Sequence, residues 1–406
     1  MERIAGGVTA VKGFKASGVH AGIKAGSTKR DIAVIYSEFP AVAAGVFTLN
    51  KVKAAPLIVT QERLAQKPFA QAVVVNSGNA NACTGEQGLE DAKEMAALVA
   101  QGLGIEEDLV MVTSTGVIGV NLPMEVLRKG IPLAVAELKE DGGFLAAEAI
   151  MTTDLFAKEY AAKTEIGGQT VTFGAMAKGS GMIHPNMATM LGFVTTDAKI
   201  SPEALQKALT TATAASFNMI SVDGDTSTND MVVVMANGLA GNEEINLGTT
   251  KYEEFLKALT EVCVQLAIAI ARDGEGATKL LEVQVKGAPI VEDARKAAMA
   301  VIKSSLVKTA IHGEDANWGR ILAAVGYSGA EFDPNLVNIY LQSLAGKELM
   351  AEKGRGLVFD EAKAKKILAE KEIVILIEMN QGEAEATAWG CDLSYDYVKI
   401  NADYRS

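Results

Sequence analysis

The 406-residue chain is poor in cysteine, histidine, aromatic side chains and basic charge, and each shortage removes a class of function. The three cysteines, Cys83, Cys263 and Cys391, stand far apart and form no CxxC pair, so a disulfide framework is not indicated. With only three histidines, His20, His184 and His312, no zinc-ligand cluster is apparent and no resident metal is expected. Aromatics make up 5% of the residues, which favours close packing of Ala, Gly, Val and Ile in strands and helices over a core of aromatic clusters. Lysine and arginine number 38 against 50 acidic residues, a net charge of −12, and no basic run interrupts that balance. Nucleic acid and anionic membrane surfaces are therefore not expected partners, although a local basic pocket for an anionic substrate is compatible with the charge. The longest apolar run, 262–271, is flanked by Glu261 and Arg272 and is too short to span a bilayer. At the N-terminus, Lys12 and Lys15 break up any apolar core of a signal peptide. The expected location is cytoplasmic.

What the chain does contain is 49% apolar and 22% charged residues, as in a globular protein with a large core. Its length corresponds to two or three domains. β-Rich runs at 72–75, 109–116 and 231–238 each end in a Gly- or Ser-containing turn. Helical patterns occupy 89–103 and 252–272, and Ser201-Pro202 predicts a helix start with a serine cap and proline in the first turn. Leu205, Ala208, Leu209 and Ala212 follow at helical spacing. This alternation predicts an α/β layered architecture without deciding whether the sheets are parallel. No repeat period, low-complexity tract or long linker is apparent. The best candidate for a chain boundary is the loop 178–190, with a second composition shift at 288–293, where Ala288-Pro289 precedes a helix at Glu292. Runs 372–379 and 383–389 predict two strands forming a hairpin around Asn380-Gln-Gly.

The loop Lys178-Gly-Ser-Gly-Met-Ile-His-Pro-Asn-Met-Ala-Thr189 carries the chemistry. A threonine inside a chain is a poor nucleophile because nothing takes its proton. A threonine at a chain start carries its own base, an α-amine with a pKa of about 7.7–8.0. Attack of the Thr189 hydroxyl on the Ala188 carbonyl, an N-to-O acyl shift followed by ester hydrolysis, would create such a start, and the small residue at 188 leaves room for it. Gly179 and Gly181 permit unusual backbone angles upstream, while Pro185 holds His184 extended. The dipeptide alone favours an ordinary strand entry.

The whole pattern resembles the self-cleavage signature of the ornithine acetyltransferases, the ArgJ family of arginine biosynthesis. The resemblance spans essentially the full chain, from Gly-Val-Thr-Ala-Val-Lys-Gly-Phe at 7–14 to Asn401-Ala-Asp-Tyr-Arg-Ser406. Between them lie Asn76-Ser-Gly-Asn-Ala-Asn, Thr113-Ser-Thr-Gly116, Met151-Thr-Thr-Asp154, Asp223-Gly-Asp-Thr-Ser-Thr-Asn-Asp230, Asp273-Gly-Glu-Gly-Ala-Thr-Lys279 and His312-Gly-Glu-Asp-Ala-Asn-Trp-Gly-Arg320. It implies an ArgJ/DmpA-like layered α/β fold with helices flanking β-sheets. It also implies cleavage at Ala188-Thr189 into an α chain, 1–188, and a β chain, 189–406, assembled as an α2β2 heterotetramer. Thr189 is then the nucleophile that takes acetyl from N2-acetylornithine and passes it to glutamate by a ping-pong route. Thr115 and Gly116 form the oxyanion hole. Thr152, Lys178, Thr189, Glu275, Asn401 and Ser406 bind substrate. No cofactor is implied. Some members also accept acetyl-CoA as donor, and the sequence leaves that choice open.

Other patterns are set aside. Gly274-Glu-Gly-Ala-Thr-Lys279 lacks phosphate-loop spacing, and the 223–230 run lacks that of an EF-hand and reads as a structured loop near the site. His312 and Asp315 near Trp318 suggest a catalytic pair only in isolation; a structural turn or subunit contact is preferred. His184 is given no general-base role. Two competing functions remain. A self-cleaving aminopeptidase or amidohydrolase of the same architecture would let water, not an amine, reach the acyl-enzyme. A non-catalytic amino-acid-binding protein would never cleave.

Overall fold

The computed structural model describes residues 1–24, 26–184 and 190–403. Among them the strands are β1 Glu2–Ile4, β2 Phe14–Val19, β3 Ile32–Phe47, β4 Phe69–Asn79, β5 Val110–Val117, β6 Lys158–Ile166, β7 Gln169–Lys178, β8 Leu191–Thr196, β9 Ile220–Ser221, β10 Met231–Ala236, β11 Leu280–Ala288, β12 Asn338–Ser343, β13 Gly346–Glu352, β14 Arg355–Gly356, β15 Glu372–Glu378 and β16 Ala384–Cys391. The described strands form two sheets, one ordered β1-β6-β7-β8-β10-β3-β4-β5 with β2 also paired to β3, the other ordered β14-β13-β12-β15-β11-β16-β9. Both sheets mix parallel and antiparallel pairs.

β3 determines how the first sheet is shaped. Its first part, from Ile32 to Tyr36, pairs with β2 and β4, and its last part, from Val42 to Phe47, pairs with β10. The register with β4 breaks between Tyr36 and Ala41, around Pro40, which has no N–H to donate to a ladder. The strands on the two sides of this break share one core. Val73, Val75 and Met111 of β4 and β5 pack with Leu191, Phe193 and Met231 of β8 and β10. The alternate residues Val74 and Val112 face the other way, against Met95, Val99, Leu127 and Ile131 of the helices Gly85–Leu103 and Met124–Ala136. This two-sided burial explains why the strand runs read as continuously apolar instead of alternating.

The helices Pro202–Ala215 and Thr250–Arg272 lie between the sheets. Phe255, Leu259 and Ile270 share a core with Phe173 and Val194 of the first sheet and Val283 and Val285 of the second. Ser201 caps the first of these helices, its side chain accepting from the Ala204 N–H, and Thr249 caps the second through Tyr252. No helix of the described residues is long and apolar enough to cross a membrane.

Three sequence expectations are revised. The strand at 72–75 continues to Asn79, taking the Asn-rich segment into the sheet. The shift at 288–293 is not a boundary, because the helix Val291–Lys303 packs back on the sheet it leaves. The C-terminal hairpin does not form. β15 pairs parallel to β11 and β16 pairs antiparallel to β11, so β11 lies between them. The connecting turn crosses the end of β11, where the Met379 and Gln381 N–H groups donate to Lys286 and Gly287. A turn sequence specifies reversal but not which strand is already seated between its arms.

Candidate active site

The first sheet brings the end of β5, the end of β7 and the starts of β8 and β10 to one cavity. Its lining includes Thr115 and Gly116 from β5, Lys178 from β7, Leu191 from β8, and residues 227–230, which lead into β10. Thr152, Glu275 and Asn401 enter from outside the sheet. Thr115, Gly116, Thr152, Lys178, Glu275 and Asn401 therefore meet around one space although they span most of the chain. Ala188, Thr189 and Ser406 lie outside the described residues, but Met190, the next residue after Thr189, lines the same cavity.

Lys178 is the central cation. It is buried, and its ammonium donates to the Thr152 hydroxyl at 2.8 Å and to the Thr115 hydroxyl at 3.4 Å. Burial lowers its pKa, opposed chiefly by the charge of Asp154, whose carboxylate lies 3.9 Å away. An isolated lysine would be expected in solvent; this one is buried and lines the cavity.

Beneath it lies a buried charge relay that the sequence patterns did not reveal. The Lys158 ammonium, with no exposed side-chain surface, contacts Asp154 at 2.7 Å and Asp273 at 2.5 Å. Asp154 also accepts from the N–H groups of Thr152 at 3.0 Å and Gly179 at 2.7 Å. Burial alone would raise the Asp154 pKa, but Lys178, Lys158 and the Gly179 N–H hold it well below the ordinary carboxylate range. One carboxylate thus fixes Thr152, Lys178 and the start of the 179–190 loop relative to one another. The spacing of Asp154 and Lys158 gives no hint of this, because Asp273 supplies the third member from 115 residues away.

Glu275 is buried and accepts from the Asn401 side-chain amide at 2.8 Å. A Cβ on Gly181 would come within 2.3 Å of the Glu275 carboxyl, so the absence of a side chain there is what lets the loop cross the acid. At the opposite wall, Gly116 has φ of +134°, and a Cβ would stand 2.3 Å from the Gly78 carbonyl carbon. The Asn-rich segment is the frame for this strand end: Asn76 accepts from Ser114 at 2.5 Å and donates to the Asn79 carbonyl at 2.9 Å. Asn229 then donates to the carbonyls of Ser114 and Ala80 at 2.8 and 2.6 Å. The 223–230 run is accordingly a structured loop at the site. Its Asp223 accepts from the N–H groups of Met182 and Ile183 at 2.6 and 2.9 Å.

His312 pairs with Asp392 at 2.7 Å, not with Asp315, which accepts instead from Asn317. Asp392 also binds Thr278, so the pair ties the 273–279 loop to the C-terminal segment. Burial lowers the His184 pKa to about 4, leaving its ring neutral at physiological pH.

Fold and site together define a layered α/β enzyme with a desolvated ammonium, two threonine hydroxyls and a carboxylate facing one cavity. The ArgJ family model matches residues 15–406. The arginine biosynthesis bifunctional protein ArgJ of Symbiobacterium thermophilum is 61% identical over 407 residues, covering all of both chains. The protein of the same name from Bacillus subtilis (strain 168) is 52% identical over 404 residues, covering 100% of this chain and 98% of that one. A crystal structure of the arginine biosynthesis bifunctional protein ArgJ from Bacillus halodurans is 49% identical with a TM-score of 0.51, matching 53% of this chain and 100% of that chain. The chain belongs to the ArgJ family.

Proposed function

We propose that the protein cleaves itself between Ala188 and Thr189 and then uses Thr189 to move acetyl from N2-acetylornithine to glutamate in arginine biosynthesis. The observation that carries this reading is the convergence of Thr115, Thr152, Lys178, Glu275 and Asn401 on the cavity that Met190 also lines. It is supported by the shared name of the relatives, and by the Bacillus halodurans chain, whose whole length matches about half of this one. A break before Thr189 would leave fragments of about that size. Because β8 and β10 sit between β7 and β3, both fragments would stay within one sheet.

In this reading the new α-amine of Thr189 takes the proton of its own hydroxyl as the oxygen attacks the acetyl carbonyl. The developing oxyanion is met by the Thr115 hydroxyl and the Gly116 N–H, with the Lys178 ammonium beside them. Proton return to the leaving nitrogen releases ornithine and leaves acetyl-Thr189. The glutamate amine then attacks the ester, and the same donors meet the second oxyanion. Glu275 pairs with the side-chain ammonium of the donor, and Ser406 belongs to the substrate-binding set. We further propose an α2β2 heterotetramer in the cytoplasm and acetyl-CoA as a second donor, the latter supported by the word bifunctional in the relatives' names.

Intact-mass analysis of the purified protein is the direct test. Two fragments, the second beginning at Thr189, together with ornithine-coupled formation of N-acetylglutamate, are expected. A single species near 42.6 kDa would overturn the cleavage, and free acetate released in step with ornithine while glutamate is present would replace the transferase by a hydrolase. Incubation of glutamate with acetyl-CoA as sole donor tests the second donor.

A further inference from the structure

The two substrates of the proposed reaction differ in charge at their far ends, and the site as described suits only one of them. N2-Acetylornithine ends in an ammonium, which Glu275 complements. Glutamate ends in a carboxylate, which Glu275 would repel at close range. An acceptor using the same cavity must turn that carboxylate toward a cation. Lys158 cannot serve, being sealed between Asp154 and Asp273. Lys178 stands at the reacting centre beside Thr115 and Thr152.

A second groove adjoins the site and shares Thr152 with it. Val117, Val120 and Pro123 form apolar walls, and Lys24 stands in its lining. The Lys24 ammonium donates to the carbonyls of Met151 at 2.8 Å and Arg30 at 3.0 Å, which places it next to the residue whose neighbour, Thr152, touches Lys178. An ammonium has three donors; these two acceptors are uncharged carbonyls, and the nearby Asp31 carboxylate, which accepts from the Lys24 N–H, acts on the ammonium through its charge. Burial lowers the Lys24 pKa to about 8, so the group is still mostly cationic at neutral pH.

We infer that Lys24 is a specificity-determining residue for the acceptor, receiving the side-chain carboxylate of glutamate in the groove beside Thr152. This rests on the acetyl-transfer reading above. Glu275, in the first cavity, and Lys24, in the groove that shares Thr152 with it, then divide the two substrates by charge.

The test uses the full-length wild-type protein and the variants Lys24→Met and Lys24→Arg. Ornithine release in a single turnover reports the donor half-reaction, and steady-state transfer reports the acceptor, with glutamine as an acceptor lacking the carboxylate. Losing a charged hydrogen bond predicts a glutamate KM raised about tenfold to a hundredfold in Lys24→Met. Ornithine release and glutamine use should stay within about threefold of wild type, and Lys24→Arg should recover most of the glutamate affinity. An unchanged glutamate KM, or equal losses with glutamate and glutamine, would overturn the role of Lys24 while leaving acetyl transfer intact. A wild-type protein unable to pass acetyl to glutamate would overturn the transfer reading and this inference with it.

Discussion

The Lys178 ammonium and the Thr152 hydroxyl, 26 residues apart in sequence, meet at 2.8 Å in the wall of the cavity. Lys178 is buried with only partial charge compensation, so its contribution should be read in the transition state more than in the fold. Lys178→Met should lower kcat/KM by ~10²–10³, the scale of a lost oxyanion-stabilising group. Thr152→Val should cost about fivefold, the net value of one hydrogen bond. Because the two side chains touch, the double variant should fall short of the product of the two losses; steady-state kinetics of all three would decide, and additive losses would separate the residues functionally.

Lys158 is held between two buried carboxylates. Lys158→Met removes the only close cation of Asp273 among the described residues and leaves Asp154 with the more distant Lys178, in a site shielded from water, and should destabilise the fold by about 3–5 kcal/mol. Urea unfolding would measure it. A loss below about 1 kcal/mol would mean that the pair behaves like an exposed one.

The oxyanion assignment of Thr115 and Gly116 can be separated from their structural role. Thr115→Ser keeps a hydroxyl and should retain activity within about tenfold, whereas Thr115→Ala should lose ~10²–10³ in kcat with its melting temperature nearly unchanged. Gly116→Ala, by contrast, must place a Cβ against the Gly78 backbone at positive φ and should lower the melting temperature as well. Equal activities of Thr115→Ala and Thr115→Ser would remove the hydroxyl from the mechanism.

Asp230 lines the cavity, and its Oδ2 has no hydrogen-bond partner among the described residues. Burial pushes its carboxyl well above the ordinary range. The folded protein therefore keeps a proton that the unfolded chain has already lost above its normal pKa of about 3.9. This contribution to stability is present below that value and is lost as pH rises toward the raised folded pKa. Asp230→Asn lacks the titration, so its stability relative to wild type should climb as pH rises above about 4. Parallel stability curves for the two proteins would show that Asp230 ionises normally.

Element types were largely legible because they depend on local patterns. The serine cap and Pro202 marked the start of a helix that the structure places at Pro202–Ala215, and the valine runs marked strands buried on both faces. The hairpin expectation failed at Asn380 because a turn signal carries no information about β11 lying between its arms. The same limit hid the partner of His312: the nearby Asp315 was visible in the sequence, and the distant Asp392 was not.

The sequence by itself determined the residue types available to the site and the family to which they belong; that Gly116 and Gly181 admit no Cβ without a close contact came from the structure. Only the tertiary structure decided which charges are shared. Lys158 reaches Asp273 across 115 residues, and Lys24 reaches Met151 across 127. Pairing of buried charges depends on distance and exclusion of water, and both exist only in the folded chain. A linear pattern can name a lysine, but the low-dielectric surroundings that lower the Lys178 pKa exist only once the chain has folded around it.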